Sequence, residues 1–233
     1  MSRIAIVAAM EREVAPLIRK WQVRWIEHGG RRYKLFENRE ASLVCSGMGP
    51  EAARRATEAI IQEFRPSHVL SVGFVGAVDP ALQVGEVFEP RTVIHAGDGA
   101  RTDTGCGRGT LVTFGEVAGR EQKQKLRQAY GAAAVDMEAA VVAQGAELRG
   151  VGFGALKAVS DEAGFAMPPV EKFFEADGSF RSGRFALYVA MRPWLWGATL
   201  ALARNSARAS RALCNALEQY LNRTAVAETA ERR

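Results

Sequence analysis

Cysteine and histidine are scarce and scattered. The chain of 233 residues has 3 of each; Cys45, Cys106 and Cys214 are odd in number and far apart, and no CxxC or HExxH spacing exists. This sets aside a disulfide framework and a zinc site, and a reducing cytoplasm is the expected compartment. The phosphate-binding signatures GxxxxGK and GxGxxG are also missing. No signal-peptide pattern is read at the start, where Met1 is soon followed by an apolar, strand-like run without a small-residue cleavage site. Charge of one sign is not concentrated. Lys and Arg number 31 against 26 Asp and Glu, a net of +5, and the pI is about 9.4. The arginines are spread along the chain and lack interleaved aromatics, so no nucleic-acid partner is expected. One apolar run, residues 185–203, approaches membrane-spanning length. Arg192-Pro193 near its middle would be costly in a bilayer and would break the helix, which argues against a transmembrane segment.

What is present suits one large α/β domain: 48% hydrophobic and 24% charged residues. Residues 3–9 are a continuous apolar run, as in a buried central strand. Met10, Val14, Leu17, Ile18 and Trp21 follow at helical spacing. Residues 23–27, 32–37 and 41–45 read as short strands. The turn Ser46-Gly47-Met48-Gly49-Pro50 leads into a helix over 51–64. Residues 67–73 form a buried strand ending in Gly73-Phe74-Val75-Gly76-Ala77, and 84–94 add another. Residues 96–108 read as a polar Gly-rich loop, 110–114 as a strand and 121–130 as a short polar helix. This alternation implies an α/β fold, a three-layer sandwich with a central mixed twisted sheet. A single domain is expected over residues 1–222, with a helical extension from about 165, a last helix over 206–221 and a polar tail at 223–233.

Two carboxylates bracket one apolar unit. Glu138 opens a helix with Met137, Val141 and Leu148 on one face, and Asp161 lies just past the end of a strand over 151–159. Ligands of open α/β sheets bind outside the carboxyl ends of strands; the plainer reading of Asp161 is a helix N-cap. At the first strand-to-helix junction Glu11, Arg12 and Glu13 either complement the helix dipole or point into the same crevice. The turn at 46–50 is of a kind that approaches an anion or sugar closely.

Several pieces then match one family in order: Ile-Ala-Ile-Val-Ala-Ala-Met-Glu-Arg-Glu-Val, Ser-Gly-Met-Gly, Val-Gly-Phe-Val-Gly-Ala-Val followed by Val-Gly-Glu-Val, Val-Asp-Met-Glu-Ala-Ala and Ala-Val-Ser-Asp. Over residues 1–164 the chain resembles the type I nucleoside phosphorylase and nucleosidase superfamily, above all the methylthioadenosine/S-adenosylhomocysteine nucleosidases. The resemblance implies cleavage of the N-glycosidic bond of a purine nucleoside, a 5′-substituted adenosine, by phosphate or water. It implies that Asp161 protonates purine N7, oriented by Ser160. Glu138 would hold the ribose hydroxyls, with Met137 packing on the sugar. Val117 and Ala118 would contact the base, and Gly73 and Gly76 would line the sugar and nucleophile pocket. Glu13 matches the residue that activates water, and Arg12 falls where phosphorylases bind phosphate. No metal or organic cofactor is implied, with phosphate as a co-substrate. The implied partners are a small-molecule nucleoside and further copies of the chain in a homodimer or higher homo-oligomer.

The chain departs from this pattern at Phe74, where relatives carry Ser or Thr, and in the short 96–108 segment. Its C-terminal part, with Trp194 and Trp196 among Arg181, Arg184, Arg192 and Arg204, is similar to hopanoid-associated members. Those act on an adenosine bearing a large 5′ hydrocarbon. The plainer reading of residues 185–203 is a helix pair covering the sheet or a subunit interface; the sharper one is a peripheral contact with the inner membrane surface beside a cytoplasmic location. The alternative to an enzyme is a non-catalytic nucleoside-binding module.

Overall fold

Alternation along the first strand sorts its side chains onto two faces. In β1 (Ile4–Ala8) every residue is buried. Ala5 and Val7 pack into one core while Ile4, Ile6 and Ala8 pack into another. The computed structural model describes residues 4–175 and 178–231, with side chains as far as 224.

The remaining strands are β2 (Gln22–His28), β3 (Arg31–Glu37), β4 (Ala41–Cys45), β5 (His68–Ala77), β6 (Val87–Phe88), β7 (Thr92–His95), β8 (Arg101–Asp103), β9 (Thr110–Thr113), β10 (Ala134–Asp136) and β11 (Gly152–Asp161). The helices are α1 (Glu11–Ile18), α2 (Pro50–Phe64), α3 (Arg120–Tyr130), α4 (Ala139–Glu147), α5 (Ser182–Ala190) and α6 (Trp196–Glu231). The sheet runs β2-β3-β4-β1-β5-β10-β9-β7-β8, and β11 pairs with β5 and β6. It is mixed: β1 lies parallel to β4 and β5, whereas β10 lies antiparallel to β5. On one face Ala53, Ala56 and Ile60 of α2 and Val142 and Ala143 of α4 pack on the strands. On the other, Val14 and Ile18 of α1 meet Ala209, Leu213, Leu217 and Leu221 of α6. Each fully buried leucine contributes roughly 1.5–3 kcal/mol. The result is the α/β three-layer sandwich read from the sequence.

β5 branches at its end, and this positions the site. Gly76 is the register partner of Asp161 on β11 and of Val135 on β10. Three chain segments therefore meet at one glycine.

Several boundaries differ from the sequence reading. Asp161 is the last residue of β11 rather than a residue beyond it. Leu148 is 83% exposed and does not share the buried face of Val141. Residues 96–108 contain β8, which forms an antiparallel hairpin with β7. The expected strand over 84–94 is two, β6 and β7, separated at Pro90, which has no N–H to give a ladder. α6 begins at Trp196, ten residues before the expected start, and its backbone stays helical to Glu231. The side chains of the expected tail beyond 224, residues 232–233 and Arg3 lie outside the described residues. Among the described residues no helix is long and apolar enough to cross a membrane.

Candidate active site

After Ala8 the chain turns through Ala9 and Met10 into α1. Met10 is extended (φ −135°, ψ 143°), and Glu13, three residues on, reaches back so that Oε2 accepts the Met10 N–H at 3.3 Å. Of the three charged residues here, Glu11 pairs with Lys34 at 3.1 Å near the surface, and Arg12 is exposed with its guanidinium over the Phe180 ring at 5.5 Å. Only Glu13 is buried, and burial pushes its carboxyl up to about 7, against the opposing pull of Lys157, the Met10 N–H, Arg12 and the Phe74 N–H. Gly73 lies behind it, where a Cβ would stand 3.0 Å from Glu13 Oε2.

Glu138 precedes α4 but does not cap it. That task falls to Asp136, whose Oδ2 accepts the Ala139 N–H at 3.0 Å. Asp136 Oδ1 accepts the Thr113 hydroxyl at 2.7 Å, and Thr113 Oγ1 accepts the Ala140 N–H at 2.9 Å. Lys157 Nζ sits 2.9 Å from Asp136 Oδ2 and donates to Ser71 Oγ at 2.9 Å. With the helix start satisfied, the Glu138 carboxylate is free to face the cavity. Its Oε1 accepts the Gly49 N–H at 2.9 Å. Gly49 has φ +93°, a conformation that favours glycine and turns this N–H toward the carboxylate. Burial first, then neighbouring Asp136, pushes Glu138 up to about 7, while Lys157 and the Gly49 N–H pull it down.

At the end of β11 the register shifts between Val159 and Asp161, a bulge with Ser160 as the extra residue. Bulges re-aim side chains beside functional sites. Ser160 Oγ donates to Asp161 Oδ1 at 2.8 Å, and Lys123 Nζ forms a buried ion pair with Asp161 Oδ2. Asp161 thus holds on to a buried side chain from α3 and is not an N-cap. A Cβ on Gly76 would come within 2.9 Å of both Asp161 Oδ2 and Lys123 Cε, so a side chain there would displace the pair.

These turns surround one cavity of about 490 Å³, within the size range of small-molecule sites. Arg12, Glu13, Glu138 and Asp161 line it, as do Met137, Ser160 and Gly76. Val117 and Ala118 join them from the segment between β9 and α3. Gly73 is set back behind Glu13. Phe74, in place of a hydroxyl residue, also faces the cavity.

Two elements of the site were not read from the sequence. Lys123 and Lys157 are 3% and 1% exposed. A lysine within the apolar run Phe-Gly-Ala-Leu-Lys-Ala-Val is a visible signal; Lys123, in a polar helix, has only its i,i+3 relation to buried Leu126. The second element is the far wall. No residue of 96–108 lines the cavity; Met167, Val170, Phe174, Phe180, Phe185 and Leu202 do. Phe174 and Phe180 lie 5.3 Å apart between ring centroids, and Phe180 and Phe185 5.5 Å.

The chain is similar to several known proteins. The 5′-methylthioadenosine/S-adenosylhomocysteine nucleosidase of Marinomonas sp. (strain MWYL1) is 35% identical over 99 residues, 41% of this chain and 42% of that protein. The nucleosidase of the same name from Staphylococcus aureus (strain JH9) is 29% identical over 210 residues, 74% of this chain and 92% of that protein. In fold the chain is similar to futalosine hydrolase of Helicobacter pylori strain 26695, with TM-score 0.71, 18% identity and coverage of 95% and 98%. It is also similar to the S-adenosylhomocysteine nucleosidase of Streptococcus pyogenes solved with 5-methylthiotubericidin, with TM-score 0.70, 19% identity and coverage of 94% and 96%. Residues 3–116 and 107–186 match the family described as the phosphorylase superfamily, and these segments carry Glu13, Glu138 and Asp161. The chain belongs to the phosphorylase superfamily.

Proposed function

We propose that the protein cleaves the N-glycosidic bond of a 5′-substituted adenosine, using phosphate or water, and releases the base. The observation that carries this reading is the gathering of three buried carboxylates, Glu13, Glu138 and Asp161, from three separate turns into one cavity. C1′ gains positive charge as its bond to the base breaks, and fixed anionic groups around it stabilise that state. Asp161, oriented by Ser160, protonates N7 of the departing purine. Glu138 accepts the two ribose hydroxyls, with Met137 against the sugar and Val117 and Ala118 beside the base. Glu13, raised to about 7, suits the abstraction of a proton from water near neutral pH. Arg12 at the mouth offers a guanidinium to phosphate oxygens.

In this reading the 5′ substituent is large and apolar, of the hopanoid kind. The wall of Met167, Val170, Phe174, Phe180, Phe185 and Leu202 supports it. Outside that wall Leu187, Met191, Trp194, Trp196 and Leu200 are exposed, Trp194 by 75%. Arg184, Arg192 and Arg204 flank them. Such a face suits peripheral contact with an anionic membrane surface, from which an amphiphilic substrate would enter. The working unit is a homodimer or larger homo-oligomer.

The test is adenine release from methylthioadenosine and from an adenosine with a long 5′ alkyl chain, each with and without phosphate. The expected result is faster release from the alkyl substrate. No adenine from either would overturn the function. Equal rates, with no binding to anionic liposomes, would overturn the apolar 5′ group and the membrane contact. A ribose-1-phosphate-type product assigns phosphate; its absence, with Arg12→Ala as fast as wild type, assigns water.

A further inference from the structure

Lys123 has no part in the reading above, yet it reaches the centre of the site. It stands in the first turn of α3, its side chain is 4% exposed, and it lines the cavity. Its ammonium pairs with Asp161 Oδ2 and donates to the Glu162 carbonyl at 3.0 Å. Asp161 Oδ1 is occupied by the Ser160 hydroxyl at 2.8 Å. The glycine at 76 leaves the room that this lysine fills: its Nζ lies 3.0 Å from where a Gly76 Cβ would be. A buried ion pair is weak evidence for stability, because desolvation offsets the attraction. The pair is therefore better explained by what it does for Asp161 than by what it does for the fold.

We propose that Lys123 is a positioning residue that supplies the proton Asp161 delivers. The inference rests on the reading of Asp161 as the acid. Starting from the ion pair, the Lys123 ammonium passes a proton to Asp161 Oδ2 and is left as a neutral amine. As the C1′–N9 bond breaks, its electron pair passes to the purine, and N7 takes that proton from Asp161. After the base leaves, the amine takes a proton from the medium, and the proton lost by the water or phosphate nucleophile balances it. The geometry places the donor: the ammonium lies against the one Asp161 oxygen that Ser160 does not hold.

Lys123→Met, Lys123→Arg and Asp161→Asn are compared on an unactivated purine nucleoside and on the same riboside with a nitrophenolate leaving group, which needs no proton. Lys123→Met is expected to lose about 100-fold or more on the nucleoside, the scale of general acid catalysis, and little on the nitrophenolate. The alkaline limb of its kcat profile is expected to move to lower pH. Lys123→Arg keeps the buried charge, and so the fold, but does not give up a proton at ordinary pH. It is expected to show the same selective loss and carries the comparison if Lys123→Met does not fold. Primary amines added to Lys123→Ala are expected to restore part of the nucleoside rate. Equal losses on both substrates with an unchanged pH profile, or a wild-type rate in Lys123→Arg, would overturn the inference while leaving Asp161 as the acid. A wild-type nucleoside rate in Asp161→Asn would overturn the reading of Asp161 itself.

Discussion

Glu138 Oε1 accepts the backbone N–H of Gly49 at 2.9 Å, joining turns 89 residues apart in sequence. This bond, with a longer one from the Met137 N–H to Oε2 at 3.3 Å, holds the carboxylate in the cavity wall, since Asp136 has taken over the start of α4. Glu138→Gln is therefore expected to raise KM and lower kcat. Its penalty on a 2′-deoxy substrate should be smaller than the one the wild type shows, because a carboxylate accepts two hydrogen bonds from a vicinal diol. Steady-state kinetics on the ribo and deoxy pair checks this, and equal penalties in the two proteins would count against a sugar contact.

Asp161→Asn should stay folded at reduced stability, because the amide oxygen can still accept from Ser160 or Lys123 while the buried Lys123 ammonium loses its countercharge. Turnover on an unactivated purine nucleoside is expected to fall by about two to four orders of magnitude. Melting temperature and turnover measured on the same preparation separate loss of chemistry from loss of structure.

Glu13 and Glu138 are both raised to about 7, burial being the first cause in each. A carboxyl raised above its unfolded value contributes stability that is fully present below about 4.5, the unfolded range, and is lost as pH rises through about 7. The melting temperature should thus fall between about pH 4.5 and about pH 7 by this mechanism, the span between the unfolded and folded values. Glu13→Gln should flatten that slope. In the same window kcat/KM should rise with pH as the base form of Glu13 appears, with Glu138 sharing the titration. Thermal scans and pH–rate profiles of the two proteins check both signs; identical slopes would count against Glu13.

Lys157 and Asp136 form the buried pair beneath the site, 2.9 Å apart and almost without solvent. Lys157→Met leaves Asp136 uncompensated and should cost about 3–5 kcal/mol. Adding Asp136→Asn should recover part of that cost, because the unpaired charge is removed while the amide oxygen can still accept the Ala139 N–H. Urea unfolding of the single and double variants measures the difference.

Glu13, Glu138, Ser160 and Asp161 were legible because each stands in a contiguous motif at the end of a strand or the start of a helix. Lys123 was not, because it lies among Arg, Glu, Gln and Lys in a helix whose only mark is one buried leucine. The far wall was hidden for a related reason. Residues 185–203 showed apolarity and a break at Arg192-Pro193, but nothing local says which side chains turn toward a cavity. Leu213, Leu217 and Leu221 gave away the second half of α6 by their spacing of four. The first half lines the cavity with Thr199, Leu202, Ala203 and Ser206, whose mixed polarity does not advertise a helix face.

α6 runs unbroken from the cavity wall across the face of the sheet that α1 also covers, and it grips α1. Ser210 Oγ donates to the Arg12 carbonyl at 3.3 Å, and Cys214 Sγ lies 3.8 Å from the Glu13 carbonyl. A helix is stiff along its axis, so the stretch that lines the cavity and the stretch that seats Arg12 and Glu13 form one lever. Under the proposed function, an ill-fitting 5′ substituent would push on the turn that carries Arg12 and Glu13, and the misfit would register in turnover and not in binding alone. The family match ends at residue 186, before this lever begins at Trp196. Under the proposed function, substrate choice would thus be set in part by a helix outside the matched segments, while those segments carry the carboxylates.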